Sequence, residues 1–212
     1  MATLGWLSVG MNTTPDTTTT DTPAMPDPRA DFARVVQAVG GLIESTTEAE
    51  LGRSTPCPEF TVKELLEHLV LIPTRAAAVG RGEHWTTTAE EPRDAGWHDA
   101  WMQANHAVMD AWTDPAKLGQ EYEVPWGTFP GAAILIAWTG EIAVHGWDLA
   151  TARGIDFSID DDILQTALVG AKFIPAEGRD DPMVPFGPVV DPGPDAPVLL
   201  QIAGWMGRDV LS

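Results

Sequence analysis

The sequence predicts an all-α protein: a helix bundle built on four long helices, with an extra C-terminal helix and an irregular tail. Three observations lead there. Four stretches repeat apolar residues at the roughly 3.6-residue period of a helix face. They are separated by loops of differing length that carry the turn-forming residues. The one alternating segment, residues 121–131, is short and broken by Gly and Pro, so it reads as an extended loop or a very short strand. No internal repeat is visible at any fixed period.

Residues 1–27 are rich in Thr, Pro and Asp and lack the apolar residues needed to offset chain entropy, so they read as a disordered tail. Residues 28–212 form the expected domain. Its first helix is expected over Pro28–Ser45, with Phe32, Val35, Val36, Val39, Leu42 and Ile43 on one face and Gly40-Gly41 weakening its end. After the loop STPCPEF, Thr61 and Glu64 stand at the T-x-x-E spacing of a capping box and open the second helix. Val62, Leu65, Leu66, Leu69 and Ile72 give its inner stripe, which His68 shares, and Pro73 is expected to kink or end it.

The third helix is expected over Asp94–Thr113. His98, Trp101, Met102, Asn105, Val108, Met109 and Trp112 line one side, and Asp114-Pro115 stops it. The fourth spans Pro130–Arg153, with Gly154 placed to end it. A fifth is expected over Asp160–Ile174. An irregular segment rich in Pro and Gly follows at 175–197, and a last short helix runs from Pro197 to Met206.

Composition narrows the function. With 12 basic against 31 acidic residues, the formal charge is −19. Such a surface repels phosphate backbones and anionic lipid, which argues against a nucleic-acid or membrane partner. No run approaches the about 18 uninterrupted apolar residues of a membrane span. The first residues lack the basic start of a secretory signal, and the single cysteine, Cys57, precludes an internal disulfide. A cytoplasmic protein, monomeric or homodimeric and acting on a small molecule, is the expectation.

The chemistry-bearing residues converge on the fourth helix. Glu141 and His145 stand at i and i+4, on the apolar side that Ile134, Trp138, Ile142 and Leu149 define. A carboxylate and an imidazole in a hydrophobic stripe are costly to bury unless something satisfies them, and a divalent metal would. With His68 they make a two-histidine, one-carboxylate set that leaves metal positions open, as catalytic sites do. The ligand types suit zinc first, with nickel and iron as alternatives.

Glu-x-x-x-His also arises by chance, as a core or surface pair sharing a hydrogen bond. Asp148 is either an acceptor for a ligand imidazole's second N–H or a solvated helix position. His98 reads as a hydrogen-bonded interior or rim histidine, with an additional ligand or substrate contact as the alternative. His84 and His106 read as solvated. Trp126 and Trp147 lie close enough in sequence to shape a pocket. Cys57 reads as a small buried hydrophobe, and Arg75 and Arg153 as salt-bridge residues before anion holders.

Taken together, TPCPEFTVKELLEHLV, then PWGTFPGAAILIAWTGEIAVHGWDLATARG, then PFGPVV and a closing GRD resemble the mycothiol-dependent maleylpyruvate isomerase N-terminal family. This family sits among the DinB-like metal-binding bundles, with the mycothiol S-transferases. The likeness runs from about residue 30 onward. It implies an up-and-down four-helix bundle and a divalent metal on His68, Glu141 and His145. It further implies metal-assisted attack of the mycothiol thiol on a small electrophile. The isomerases carry a further C-terminal domain for which this chain has no room, so the resemblance favours a transferase over an isomerase. A metal-dependent hydrolase and a non-catalytic metal- or ligand-binding module are the competing readings.

Overall fold

The computed structural model describes residues 27–89, 91–124, 126–179 and 186–211. The tail expected over residues 1–27 lies, but for Asp27, outside them. Helices α1 (Arg29–Glu44), α2 (Val62–Gly80), α3 (Trp97–Ala111) and α4 (Gly131–Arg153) form the bundle, with α5 (Asp161–Ala171) and α6 (Val198–Trp205) added after it. Around the bundle the seams run α1–α4, α4–α2, α2–α3 and α3–α1; α5 covers α4, and α6 packs on both. The fold is therefore the expected all-α bundle with an added C-terminal part. Among the described residues no helix is long and apolar enough to cross a membrane.

Helix α4 is the axis of this arrangement. It is buried on nearly every side, because it meets α1, α2, α5 and α6 at once. Contact with α5 is backbone-close. A Cβ added at Gly170 would stand 2.7 Å from the Ile136 carbonyl oxygen, and one at Gly140 would stand 3.0 Å from that of Ala167. Only glycine permits that approach at both positions. Gly154, at φ 69°, ends the helix in the left-handed conformation as expected.

Three features differ from the sequence expectation, each for a physical reason. Pro73 neither ends nor interrupts α2, which continues to Gly80. Burial of Leu69–Ile72 before it and Ala76–Val79 after it outweighs the one backbone hydrogen bond that proline removes. Helix α3 starts at Trp97 rather than Asp94, since Gly96 sits at φ 76° and cannot belong to a right-handed helix. Within α3, Met102 and Met109 are exposed (51% and 39%) although their spacing placed them inward. The buried stripe is Trp101, Asn105, Val108 and Trp112, and the two methionines sit one position round it.

The segment before α4 forms a small antiparallel hairpin, β1 (Glu121–Val124) with β2 (Gly127–Pro130), Val124 facing Gly127. Helices α5 and α6 are shorter at their ends than the periodicity extends. One buried cluster fills the bundle, with Trp101 and Trp112 its largest fully buried side chains. Their indole N–H groups donate to the Val36 and Ala76 carbonyls, so neither aromatic is buried at the expense of an unmet donor.

Candidate metal centre

The site is assembled from two helices and the loop leading into one of them. Helix α2 is fixed at its start by Thr61 and Glu64: the Thr61 N–H donates to the Glu64 carboxylate at 2.7 Å, and the Glu64 N–H to the Thr61 hydroxyl at 3.4 Å. Two turns on, His68 faces α4. Just before the cap, the Thr55 hydroxyl lies 2.8 Å from the carbonyl oxygens of both Cys57 and Phe60, which shapes the loop. The Phe60 ring then stacks against His68, centroids 4.9 Å apart at 31°.

On α4, Glu141 and His145 project from the same side, one turn apart, as their spacing requires. His68 Nε2 is 3.4 Å from Glu141 Oε1, and the His68 and His145 rings meet edge to face at 4.9 Å. One ligand-type atom from each of His68, Glu141 and His145 lies within 4.8 Å of the other two. They line a small cleft of about 100 Å³, walled by Cys57, Phe60, Phe186 and Met206 among others.

Asp148 is fully buried and is not the solvated position that the sequence left open. It accepts the Nδ1–H of His145 at 3.0 Å and three contacts from the Arg208 guanidinium, at 2.8 to 3.2 Å. Held this way, His145 keeps its ring orientation and turns Nε2 toward the cleft, which is how a metal-binding imidazole is usually braced. Arg208 is itself 6% exposed, and its guanidinium also donates to the Met206 carbonyl at 2.9 Å.

The protonation states agree with that picture. Burial pushes the Glu141 carboxyl upward, but the His68 hydrogen bond and charge, helped by His145 and Arg75, bring it below its ordinary value. Burial lowers the His145 imidazole, and the Asp148 hydrogen bond only partly offsets this, so the ring is neutral at pH 7. For Asp148, burial is overcome by its bonds to His145 and Arg208, which keep it ionised. Burial raises the Cys57 thiol, so the buried cysteine is a thiol and not a thiolate.

The other residues singled out from sequence stand elsewhere. Trp126 packs edge to face on Trp138 at 5.9 Å, and neither Trp126 nor Trp147 lines the cleft. His98 lies in a separate groove between α1 and α3. His84 and His106 are exposed, as expected. Arg153 does ion-pair, with Glu50 at 3.2 Å, whereas Arg75 lies over the Trp85 ring at 5.7 Å with its Nε unpartnered among the described residues. Sequence reasoning did not single out Arg208. Its one signal is its place in the closing Gly-Arg-Asp, and nothing local links it to an aspartate sixty positions earlier.

Comparison with known proteins supplies a family. A family model described as the mycothiol maleylpyruvate isomerase N-terminal domain matches residues 32–150, the span that holds His68, Glu141, His145 and Asp148. The chain is also similar to two uncharacterized proteins of Mycobacterium tuberculosis, Rv0738 and MT0763. Each is 27% identical over 186 residues, covering 87% of this chain and 99% of theirs. No solved structure matches the chain.

Proposed function

The chain belongs to the mycothiol maleylpyruvate isomerase N-terminal domain family, and we propose that it is a divalent-metal-dependent thiol transferase that joins mycothiol to a small electrophile. One observation carries the reading: three ligand-type atoms within 4.8 Å of each other, on residues that line a small cleft. The fit to a cation is chemical as well as spatial. His145 is neutral, its second nitrogen is engaged by Asp148, and Glu141 is held as a carboxylate in a half-buried setting that a cation would stabilise.

His68, Glu141 and His145 would hold the metal, zinc before nickel or iron given two imidazoles and a carboxylate. A divalent cation bound there lowers the pKa of a coordinated thiol, so that the attacking group is a thiolate near neutral pH. The chain's own residues do the rest. Asp148 and Arg208 keep His145 from turning. Phe60, Phe186 and Met206 exclude water from the sulfur. At about 100 Å³ the cleft admits the thiol end of a cosubstrate and leaves its sugar portion outside. With a chlorinated acceptor, a C–S bond forms as the C–Cl bond breaks; chloride departs and the thiol proton passes to water.

Metal analysis of the purified protein beside His68→Ala and His145→Ala tests the site. We expect about one metal per chain, and a loss of at least ~10-fold in affinity in each variant. Unchanged metal content in both would end the assignment. A conjugation assay with mycothiol and a chlorinated or epoxide acceptor tests the chemistry. Turnover by the metal-loaded protein that disappears in His145→Ala supports it, and acceptor loss at the same rate without any thiol points to hydrolysis instead.

A further inference from the structure

In a chain with 31 acidic residues against 12 basic ones, a guanidinium without a counter-charge is an exception. Every other arginine is paired with a carboxylate or, at Arg179, with carbonyl oxygens. Half-buried Arg75 has neither among the described residues. Its guanidinium carbon lies 5.7 Å from the centre of the Trp85 ring, a cation–π contact that holds the fork in place and leaves its hydrogen-bonding capacity unspent. Of the three guanidinium nitrogens only Nε is closed off from solvent without a partner. The edge left for another molecule is therefore the end-on one, Nη1 with Nη2.

That edge belongs to the seam that holds the metal-type ligands. Arg75 stands seven residues after His68 on α2, which returns it to the same face two turns on, about 10 Å along the axis. The Cα–Cβ bonds of a helix tilt toward its N-terminus, so the Arg75 stem leans back toward His68. Helices α2 and α4 run antiparallel here. The Gly80 carbonyl at the end of α2 accepts from Lys117 Nζ at 2.7 Å, and the Lys117 carbonyl abuts Gly131 at the start of α4. Passing from His68 to Arg75 thus runs alongside α4 from Glu141 back toward Trp138. Against the upward push of burial, the Arg75 charge adds to those of His68 and His145 in holding the Glu141 carboxyl down.

We propose that Arg75 is the carboxylate-binding residue of this centre, so that the electrophile taken there is a small carboxylic acid whose reacting carbon lies at the cleft and whose carboxylate meets the Nη1–Nη2 edge. The proposal rests on the transferase reading and names its class of acceptor. A planar fork with one open edge matches the two coplanar oxygens of a carboxylate. One guanidinium balances one negative charge, whereas a phosphate dianion is left with excess charge beside a protein of charge −19. The carboxylate takes no part in the bond changes: the C–S bond forms and the leaving group departs at the other end of the acceptor.

Calorimetry on the metal-loaded, full-length protein compares para-toluate with para-toluamide, which has the same shape and no charge. The acid should bind about tenfold tighter, the size of one charge-assisted contact. In Arg75→Met, which keeps the stem and removes the fork, the two should bind within about twofold of each other. Arg75→Lys, which keeps the charge without the fork, should retain a preference of about threefold, and an undiminished preference there overturns the proposal even where the methionine variant does not fold. Equal affinities in the unsubstituted protein also overturn it. So does a preference that survives Arg75→Met, as it would if the metal alone held the carboxylate. Conjugation of mycothiol to para-(chloromethyl)benzoate and para-(chloromethyl)benzamide, each relative to its rate with the free thiol, separates this proposal from the one beneath it. Equal enhancement of both sinks the carboxylate site and leaves the transferase. Conjugation of neither, with an Arg75-dependent preference in binding, sinks the transferase and supports the carboxylate site.

Discussion

Two depressions in one bundle differ in how their polar groups are treated. In the candidate metal cleft, at the α2–α4 seam, Glu141, His145, Asp148 and Arg208 are brought together and each has a charged or hydrogen-bonding neighbour. In the α1–α3 groove the walls are mostly apolar and the one buried polar side chain, Asn105, has an amide oxygen without a partner among the described residues. The cleft is braced by a network that costs a great deal to break. The groove is held open by a missing side chain at Gly41 and by methionines that can move aside. A network fixes geometry for chemistry; an unfilled seam leaves room for adjustment.

The largest effect should come from breaking the cleft's network. Arg208→Met leaves Asp148 buried with only His145 beside it, and a buried pair that loses one partner costs about 3–5 kcal/mol. Urea denaturation of the metal-free protein measures this; a loss below about 1 kcal/mol would mean that the Asp148–Arg208 pair does not brace His145.

The groove should respond with the opposite sign. Asn105→Leu removes an unmet acceptor and adds apolar volume where space exists, so the protein should gain about 1 kcal/mol in the same experiment. Destabilisation instead would show that the acceptor is already satisfied. Somewhat smaller, Gly41→Ala should stabilise α1 by about 0.5–1 kcal/mol, readable as a rise in Tm, since its Cβ meets nothing.

The smallest effect is a control that touches neither depression. Glu50 is held down to about 2 by the Thr47 backbone N–H, then by the Thr47 hydroxyl and Arg153. Its folded value lies below its unfolded one, so its contribution is present above about pH 4.5 and lost as pH falls toward 2. Glu50→Gln should therefore cost a few tenths of a kcal/mol at pH 7 and nothing at pH 2. A difference that persists unchanged to pH 2 would remove the charge explanation.

Much of the cleft was legible because it is periodic. Glu141 and His145 had to share a side once α4 was a helix, and His68 had to face inward because it stands between Leu65 and Ile72. The capping box at Thr61 and the glycine stop at Gly154 were equally local and both stand as read. Pro73 misled because its rule concerns one hydrogen bond, while the fate of α2 depended on its buried length on both sides. Met102 and Met109 misled because a rotation of one position in where α3 faces its neighbours moves a residue from wall to surface.

What the sequence determined unaided is the set of helices, most of their buried stripes and the shared side of Glu141 and His145, because each follows from spacing along one helix or from caps within a few residues. What only the tertiary structure decided is who meets whom across helices: Arg208 reaching Asp148, Phe60 lying on His68, and α1 and α3 leaving a gap at Gly41 with an unanswered amide beside it. Those depend on how rigid helices settle against one another, and no pattern along a single helix encodes the distance between two.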